Sequence, residues 1–282
     1  IYELGNRRYE VFGTYNEHNP GFKEMYKLNV VDRQKVFEVI NTVKPDFVID
    51  THAISNVDYC ELHPEEAWKV NVEGTKNIAE ACKISGTKFM FISSDYVYDG
   101  MKATPYSEKD KAHPINYYGK TKLIAEKVIE ALDLDFVVAR TAVLFGASKN
   151  YEKAPFPVWL IQQLKEGKEV KVVIDQYNNP TLADSLAEFL FSLYEKDRNG
   201  VFNISGKDNL SRYQFAKLIA GKFGMNENQI KPITTAELNQ PAKRPQKVAL
   251  NVSKAEKAAK LSAMSIEEAL DEFAKQYKKV RT

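Results

Sequence analysis

Short runs of consecutive apolar residues alternate along the chain with longer segments in which apolar residues recur every three or four positions. The short runs predict strands, and several consist mainly of Val, Ile and Phe, which is typical of strands covered on both faces. The predicted strands are Tyr9–Thr14, Phe47–Asp50, Lys88–Ser93, Phe136–Arg140, Val170–Val173 and Val201–Ile204. Strands that alternate with helices indicate an α/β fold built on a doubly wound parallel sheet.

The longer segments predict amphipathic helices with recognisable ends. Pro64 and the two acidic residues after it suit a first helical turn, and Gly86 suits the end of the same helix. Ser211 is a typical capping residue, and Ser265 begins a Ser-Ile-Glu-Glu sequence that fits a capping box. The predicted helices are 64–84, a second that follows Tyr117, 184–194, a fourth after Ser211 and a last one from Ser265.

The opening of a nucleotide-binding sheet is not found in the sequence. Such a sheet starts with a strand, a glycine-rich turn and a helix whose N-terminus faces a pyrophosphate. Here Ile1–Gly5 has the character of the end of that helix, Tyr9–Thr14 has that of the second strand, and no Gly-x-x-Gly-x-x-Gly occurs. A sheet without its central strand exposes unpaired backbone. We therefore expect the printed sequence to begin after that strand; the alternative is that nucleotide binding has been lost.

Composition narrows the classes of function. The 282 residues include 40 basic and 38 acidic side chains, well mixed, so neither nucleic acid nor a membrane surface is indicated as a partner. No apolar window is long enough to span a bilayer. Cys60 and Cys82 are expected to be buried thiols in a reducing cytosol, which predicts a cytoplasmic protein. The four histidines lack metal-ligand spacing, so no metal site is predicted.

The main candidate for chemistry is the sequence Tyr118-Gly-Lys-Thr-Lys122, which places a phenol and an ammonium four residues apart on one helical face. Carbonyl reduction needs a proton donor at the oxygen as hydride reaches the carbon, and a free Tyr near pKa 10 is poorly tuned for this task. A neighbouring positive charge is expected to lower the pKa of the phenol. The same ammonium is suited to hold the ribose hydroxyls of a nicotinamide cofactor.

The Tyr-x-x-x-Lys spacing occurs three times, and context separates the three pairs. The pair at 98 and 102 is interrupted by Asp-Gly, a turn signal, so its side chains need not share a face. The pair at 213 and 217 belongs to the C-terminal part of the chain. Only Tyr118 and Lys122 open a helix within the strand–helix rhythm of the main sheet. The alternative for any such pair is a surface aromatic beside a solvated lysine.

A second candidate is the sequence Phe91-Ile-Ser-Ser-Asp-Tyr96. Hydroxyl groups at the carboxyl end of a buried strand lie where ligands bind in open α/β sheets. Ser94 is positioned to donate a hydrogen bond to a substrate carbonyl and polarise it. The alternative, that the hydroxyl group only caps or turns the chain, competes more strongly for Ser93 than for Ser94.

Taken together, these motifs resemble the extended short-chain dehydrogenases and, within them, the dTDP-4-dehydrorhamnose reductase branch. The motifs follow the family's order from Asn29 to Pro245, which is most of the chain. They are Ile92-Ser-Ser-Asp-Tyr-Val-Tyr-Asp-Gly100, Asn116-Tyr-Tyr-Gly-Lys-Thr-Lys122, Arg140-Thr141 with Phe145-Gly146, Asp175-Gln-Tyr-Asn-Asn-Pro-Thr181 and Ala242-Lys-Arg-Pro245.

The resemblance implies a Rossmann-type sheet with a small C-terminal α/β substrate lobe. It implies a dinucleotide-binding domain in 1–150, with 170–205 returning to it, and a substrate lobe formed mainly by 151–169 and 206–282. Catalytic roles are implied for Ser94, Tyr118 and Lys122. Cofactor contacts are implied for Asn29, Asp32, His52, Ala53, Asn71, Ser93, Tyr118, Lys122 and Thr141. Substrate contacts are implied for Asp95, Tyr96 and Arg244, although a surface arginine is an equal alternative for the last.

The chain departs from the family pattern near the expected cofactor. The usual Asn-x-Ala-Ala after the third strand is replaced by Asp50-Thr-His-Ala53, and the usual acidic residue at the adenine-contacting position is Asn29. The glycine of the usual Asp-Gln-x-Gly is Asn178. Tyr15-Asn16 offers no carboxylate for a ribose diol, which favours NADP over NAD as the cofactor.

Two functions follow from the resemblance. The first is reduction of the keto carbon of a nucleotide-linked 4-keto-6-deoxy sugar by NADPH, with Tyr118 as the proton donor. The second is a binding subunit, because the chain also resembles the regulatory β subunit of methionine adenosyltransferase. The partner is then a methionine adenosyltransferase catalytic subunit, whereas a second copy of the chain, in a homodimer, is the expected partner for a reductase.

Overall fold

The computed structural model describes residues 1–147 and 154–281. Its strands are β1 Gly13–Tyr15, β2 Met25–Lys27, β3 Phe47–Asp50, β4 Lys88–Ser94, β5 Phe136–Thr141, β6 Leu144–Phe145, β7 Val170–Val173, β8 Tyr177–Asn178, β9 Thr181–Leu182, β10 Gly200–Asn203, β11 Leu210–Ser211 and β12 Ile230–Ile233. Its α-helices are α1 Tyr2–Gly5, α2 Arg33–Val43, α3 Val57–Leu62, α4 Pro64–Trp68, α5 Thr75–Ser85, α6 Tyr117–Ala131, α7 Phe156–Lys165, α8 Ala183–Glu195, α9 Arg212–Lys222, α10 Ser253–Ala259 and α11 Ile266–Arg281. A π-helical turn, Lys69–Gly74, joins α4 to α5.

The main sheet of the described residues is parallel, with the strand order β10–β5–β4–β3. Phe89 and Phe91 of β4 point to one face, where α2, α5 and α6 pack, and Met90 points to the other face, where α8 and α10 pack. Burial on both faces explains why this strand is a continuous apolar run rather than an alternating one. The arrangement confirms the predicted α/β class with a helix-covered parallel sheet.

A separate small lobe surrounds a second hydrophobic core. The strands β7 and β12 pair in parallel, and α7, α9 and α11 pack around them through Leu160, Phe215 and Phe273. Within the range 170–205, β10 therefore joins the main sheet, whereas β7 belongs to this lobe because its valines are buried against α9. The predicted domain boundary at residues 150 and 151 lies outside the described residues.

Helix ends follow the predicted capping signals. The Ser211 hydroxyl accepts from the backbone N–H of Gln214, whose side chain bonds back to Ser211, and this reciprocal pair starts α9. Ser265 and Glu268 bond in the same manner at the start of α11. The predicted helix 64–84 forms as α4 and α5, but a π-helical turn interrupts it. No helix in the described part of the chain has the length and apolarity to cross a membrane.

The predicted strand Tyr9–Thr14 is largely wrong, whereas the predicted helical segment at Ile1–Gly5 forms α1. Only residues 13–15 are extended in a ladder, and they pair with β2 rather than with the main sheet. The Tyr9 backbone N–H bonds to Gly5 at the end of α1, and the Tyr9 ring packs edge-on against Phe47 at 5.4 Å. Side-chain packing thus takes the place of strand pairing at Tyr9.

Candidate active site

The carboxyl ends of the parallel strands bring the predicted polar residues together. Ser94 ends β4 directly beside Thr141, which ends β5, and Asp50 ends β3 on the other side. Helix α6 starts over this edge because the Asn116 side chain accepts from the Gly119 N–H, capping the first turn. This cap places Tyr118 in the first turn of α6, above the edge of the sheet.

Tyr118 and Lys122 lie on the same face of α6, four residues apart. The Lys122 side chain is buried, its ammonium donates to the Ile92 carbonyl at 2.9 Å, and it lies 4.4 Å from the centroid of the Phe91 ring. The Tyr118 ring packs edge-on against Tyr96 at 6.0 Å and its phenol is hydrogen-bonded to Ser94. The structure therefore brings Ser94, Tyr118 and Lys122 to one place.

The expected direction of the Tyr118 pKa is wrong. Burial raises the pKa of the Tyr118 phenol above its ordinary range, and Asp95 raises it further, whereas the hydrogen bond with Ser94 lowers it only in part. Burial also lowers the pKa of Lys122 to about 8. The loss of solvent around the phenolate outweighs the stabilising hydrogen bond with Ser94. The phenol therefore stays protonated at neutral pH, which is the state that a proton donor requires.

Asp95 is a buried carboxyl group with one unused oxygen. Its Oδ1 accepts from the Ser94 hydroxyl at 3.1 Å, and its Oδ2 is buried without a hydrogen-bond partner. Burial raises the pKa of Asp95 to about 7. Because buried polar atoms are nearly always hydrogen-bonded, the free oxygen marks a place for a ligand hydroxyl group. The Thr141 hydroxyl is likewise buried without a partner at the end of β5.

Ser93 serves a different network. Its hydroxyl donates to Glu126 at 2.5 Å. The Glu126 carboxylate also accepts the single Arg140 Nε–H, shared between its two oxygens, and a hydrogen bond at 2.6 Å from Arg140 Nη2. The Arg140 guanidinium also donates to the Tyr98 hydroxyl at 2.8 Å. This buried ion pair ties β4 and β5 to α6 about two turns along the helix from Tyr118. A cofactor contact of Ser93 stays a prediction.

The remaining predicted cofactor residues lie in two groups. Asn71, in the π-helical turn, bonds to the backbone of Ile54, which follows Ala53 in the loop after β3. Asn29 and Asp32 are exposed and serve the start of α2, where the Asp32 carboxylate caps the Lys35 N–H. The structure therefore places Asn71, His52 and Ala53 beside α6, whereas Asn29 and Asp32 lie in the turn before α2.

Comparison with known proteins identifies the family. The RmlD substrate binding domain family matches residues 3–279 of the chain. The chain belongs to this family. It is 30% identical to the dTDP-4-dehydrorhamnose reductase of Aggregatibacter actinomycetemcomitans over 90% of this chain and 86% of that protein. It is also 30% identical to the bovine (Bos taurus) methionine adenosyltransferase 2 subunit beta over 90% of this chain and 78% of that protein.

A solved structure from the same family superimposes closely. The dTDP-4-dehydrorhamnose reductase of Bacillus anthracis, crystallised in complex with NADP, has a TM-score of 0.83 and 29% identity, and 92% of each chain is covered. The likeness confirms the doubly wound Rossmann-type fold of this RmlD-family chain, with its parallel sheet.

The described residues fit the nicotinamide end of a dinucleotide. The buried Lys122 ammonium has one hydrogen-bond acceptor among the described residues, the Ile92 carbonyl, which leaves two N–H groups for ligand hydroxyls. The unpartnered hydroxyl of Thr141 lies on the same sheet edge. The glycine-rich turn that binds a pyrophosphate is not part of the printed sequence, so the fit covers only this end of the ligand.

Arg244 is a buried residue of this RmlD-family chain and not a surface arginine. Its side chain is 8% exposed, and its guanidinium forms a two-pronged ion pair with Asp58 of α3 at 2.8 and 3.0 Å. The pair fastens the C-terminal segment over the sheet edge. A cleft of about 490 Å³ opens beside it, lined in part by Met101, Thr235, Gln240 and Lys243.

Sequence reasoning missed Arg212, the first residue of α9. Its charge interacts with Asp95 and Tyr96, and its guanidinium lies 5.5 Å from the centroid of the Phe156 ring. A cation at a helix N-terminus is unfavourable because it faces the positive end of the helix dipole. That unfavourable position, next to the Ser211 cap, is the one signal in the sequence that could have singled out Arg212.

Gly119 sets the approach of α6 to the β4 segment, and Gly119→Ala is expected to lower the free energy of unfolding by about 1–3 kcal/mol. A methyl group at this position would lie 2.2 Å from the Tyr96 carbonyl oxygen and 3.0 Å from Pro114. Urea denaturation measures the loss. Gly221→Ala, in α9, is the matched control because its methyl group would meet only Glu227 at 3.4 Å. Equal stability of the two variants would contradict the prediction.

Proposed function

We propose that this chain is an NADP-dependent reductase that acts on the keto group of a nucleotide-linked sugar. The observation that carries the proposal is the convergence of Ser94, Tyr118 and Lys122 at the carboxyl edge of the parallel sheet. A protonated phenol, a neutral hydroxyl and a buried ammonium are the groups that carbonyl reduction requires. Membership of a family whose named members include dTDP-4-dehydrorhamnose reductases supports the same reaction.

In the proposed mechanism the chain's own residues handle the proton. Tyr118 donates its phenolic proton to the carbonyl oxygen, and the Ser94 hydroxyl donates a hydrogen bond that polarises the carbonyl. Lys122, with a pKa of about 8, remains largely an ammonium at pH 7 and stabilises the phenolate that forms. Solvent then returns a proton to Tyr118. The cofactor, when bound, supplies hydride to the carbonyl carbon, and Lys122, Asn71 and Thr141 are the residues proposed to hold it.

The preference for NADP over NAD rests on two observations. The crystallised relative from Bacillus anthracis holds NADP. The sequence Tyr15-Asn16 at the end of β1 lacks the carboxylate that favours an unphosphorylated ribose. We therefore propose NADP as the physiological cofactor, with NAD as a poorer alternative.

The proposed substrate is a dTDP-linked 4-keto-6-deoxy sugar. The free carboxyl oxygen of Asp95 and the Tyr96 ring suit the sugar, and the Arg212 and Arg244 guanidiniums suit a diphosphate. The cleft beside Arg244 has the volume of a small-ligand pocket, so it is proposed to take the nucleoside. The named relatives support this assignment because they include reductases of dTDP-4-dehydrorhamnose.

A second candidate is a regulatory subunit that binds a methionine adenosyltransferase. The observation in its favour is the 30% identity to the β subunits of that enzyme over 90% of the chain. We prefer the reductase because the catalytic side chains lie together and the substrate side carries a free carboxyl oxygen. The proposed assembly of the reductase is a homodimer, which light scattering of the purified protein tests.

Oxidation of NADPH tests the proposal. The purified chain is incubated with NADPH and dTDP-4-keto-6-deoxy-L-mannose, and absorbance at the nicotinamide band is followed. Turnover that requires both the sugar nucleotide and the protein supports the reductase. Binding of NADPH without turnover of any dTDP- or UDP-linked keto sugar, together with tight binding of a methionine adenosyltransferase catalytic subunit, would instead support the regulatory function.

Arg212→Gln is expected to raise the KM for the sugar nucleotide by about 10- to 100-fold, since charge-assisted hydrogen bonds contribute about 1.5–3 kcal/mol. The kcat value is expected to change little, because Arg212 does not contact the proton donor. Steady-state kinetics at constant NADPH measure both quantities. Arg33→Gln is the control, because that guanidinium is exposed and pairs with Glu80. An unchanged KM in the Arg212 variant would remove this residue from the substrate site.

A further inference from the structure

Asp50 and His52 form a buried ion pair directly after β3. The Asp50 side chain is 2% exposed, and its Oδ1 is bonded to His52 Nδ1 and accepts from the His52 backbone N–H at 3.1 Å. The other ring nitrogen, Nε2, lies 3.0 Å from the Val70 carbonyl oxygen. This pair occupies the position at which the family pattern has Asn-x-Ala-Ala, so it is a feature of this chain rather than of the family's usual site.

The partners of the ring define its charge. Both ring nitrogens of His52 face acceptors, a carboxylate and a backbone carbonyl. A neutral imidazole has one N–H donor, so only the doubly protonated ring satisfies both acceptors. Burial lowers the pKa of His52, and Lys122 adds to this, but the attraction of Asp50 and the bond to Val70 outweigh them and raise the pKa above its ordinary value.

Few other ionisable groups face the pair. Lys122 of α6 faces the imidazole, and the Cys82 thiol of α5 faces Asp50. Burial raises the pKa of Cys82 to about 12, so this thiol stays neutral where His52 titrates. The Thr75 hydroxyl of α5 lies 3.5 Å from Asp50 Oδ2. Lys122, whose pKa burial lowers to about 8, is therefore the other group near the pair that loses its charge as the pH rises.

Hydrogen bonds and one peptide link connect the ion pair to Tyr118. Val70 belongs to the π-helical turn, and the next residue, Asn71, donates to the Thr121 hydroxyl at 3.1 Å. The Thr121 hydroxyl donates in turn to the Tyr118 carbonyl oxygen at 2.7 Å. A π-helical turn is an uncommon geometry that is often found at functional sites. Here the His52 imidazole holds the turn against α6 through the Val70 carbonyl.

The close approach of the turn to the ring depends on Gly74. A methyl group at Gly74 would lie 3.0 Å from His52 Nε2 and 2.6 Å from a methyl carbon of Val30. The π-helical turn therefore packs directly against the His52 imidazole and the 29–32 turn, and no space remains between them. A change in the hydrogen bonding of His52 is transmitted to the turn, because neither neighbour leaves space for it to move independently.

We propose that the Asp50–His52 ion pair is a positioning device that holds the π-helical turn and, through Asn71 and Thr121, sets the position of the proton donor Tyr118. Deprotonation of His52 removes the hydrogen bond to Val70 and loosens the turn. The pair thereby contributes to a loss of activity as the pH rises through the raised pKa of His52. This inference rests on the proposed reductase function, but the state of the imidazole does not.

His52→Gln tests the device, because Gln is neutral and cannot bridge the same two acceptors. We expect kcat to fall by about tenfold at pH 7, since small misplacements of reacting groups cost up to about 100-fold. The KM for the sugar nucleotide is expected to stay within about twofold, because the proposed substrate residues do not contact His52. His113→Gln is the matched control, since His113 pairs with Asp99 at 3.4 Å on the surface with a side chain that is 72% exposed.

The pH profile separates positioning from simple loss of structure. The ratio of wild-type kcat to His52→Gln kcat is expected to be about ten at pH 7 and to fall toward one as the pH rises through the pKa of His52, because the deprotonated wild-type ring loses the same hydrogen bond that the variant lacks. Loss of the Lys122 proton lowers kcat in both proteins and cancels in this ratio. A general structural defect would lower kcat by the same factor at every pH. A ratio that does not change with pH, or a wild-type kcat in the variant at pH 7, would overturn the proposal.

Imidazole NMR of the wild-type protein gives a readout that needs no turnover. The chain has four histidines, so the ring ¹⁵N signals of His52 are assigned by their absence from the variant. Both ring nitrogens are expected to be protonated at pH 7, and the stability advantage of the wild type over His52→Gln is expected to disappear as the pH rises through the raised pKa of His52. A neutral His52 ring at pH 7 would contradict the proposed Asp50–His52 ion pair. If the ring is protonated but the protein does not reduce the sugar nucleotide, the reductase function is contradicted and the ion pair is not.

Discussion

Tyr118→Phe is expected to lower kcat for reduction of the sugar nucleotide by about 10²–10⁴-fold, the usual contribution of a positioned general acid. The substitution removes one hydroxyl group and keeps the ring that packs against Tyr96. The pKa of the phenol is raised by burial, so the wild-type residue carries its proton throughout the neutral range. Among the described residues, no second hydroxyl group bonds to Ser94 and could donate the proton in place of the Tyr118 hydroxyl.

The chain supplies its own control for this experiment. Tyr213 and Lys217 have the same spacing on α9, but Lys217 pairs with Glu227 at 2.9 Å and lies away from the sheet edge. Tyr213→Phe is therefore expected to leave kcat within about twofold of the wild type, as for most surface changes. Binding of NADPH, followed by its fluorescence, is expected to persist in both variants. Turnover by Tyr118→Phe at more than about a tenth of the wild-type rate would assign the proton to another donor.

Glu126→Ala is expected to lower the free energy of unfolding by about 3–5 kcal/mol, which is the typical cost of removing one partner of a buried ion pair. Glu126 is fully buried and Arg140 nearly so, with side-chain exposures of 0% and 5%. The substitution leaves the Arg140 guanidinium buried without its carboxylate and removes the acceptor of the Ser93 hydroxyl. Urea denaturation followed by circular dichroism measures the change.

A second glutamate on the same helix tests whether burial is the cause. Glu130 pairs with Lys127 at 2.6 Å on the exposed side of α6, with a Lys127 side chain that is 62% exposed. Glu130→Ala is expected to cost less than about 1 kcal/mol, because solvent screens an exposed pair. Replacing both buried partners, as Glu126→Leu with Arg140→Met, is expected to recover most of the lost stability. Equal losses for Glu126→Ala and Glu130→Ala would refute the role assigned to burial.

The substitutions at Tyr118 and Glu126 distinguish residues of α6 that take part in the reaction from residues that stabilise the fold. Tyr118 and Lys122 face the sheet edge, whereas Glu126 is held one turn further along by Arg140 and Ser93. A substitution at 118 is therefore expected to change the rate without changing stability. A substitution at 126 is expected to change stability first, and to affect the rate only through the position of the helix.

The sequence alone determined the elements whose signals are local. The strand Phe47–Asp50 has the predicted bounds, and the helices after Ser211 and Ser265 begin where their capping residues stand. These predictions hold because the apolar pattern and the cap of an element lie within a few residues of each other. The positions of Ser94, Tyr118 and Lys122 at one edge also followed from the sequence, since the carboxyl ends of parallel strands meet there.

Only the tertiary structure decided what each polar group does. In the folded chain the Ser93 hydroxyl donates to Glu126, and Arg244 forms an ion pair with Asp58. Arg212 lies near Asp95, and Tyr9 is held by ring packing rather than by strand pairing. The tertiary structure also reversed the expected shift in the pKa of Tyr118, because the free energy of a buried phenolate depends on how much solvent the whole fold removes. Desolvation and partners distant in sequence are properties of the assembled chain, and no local pattern contains them.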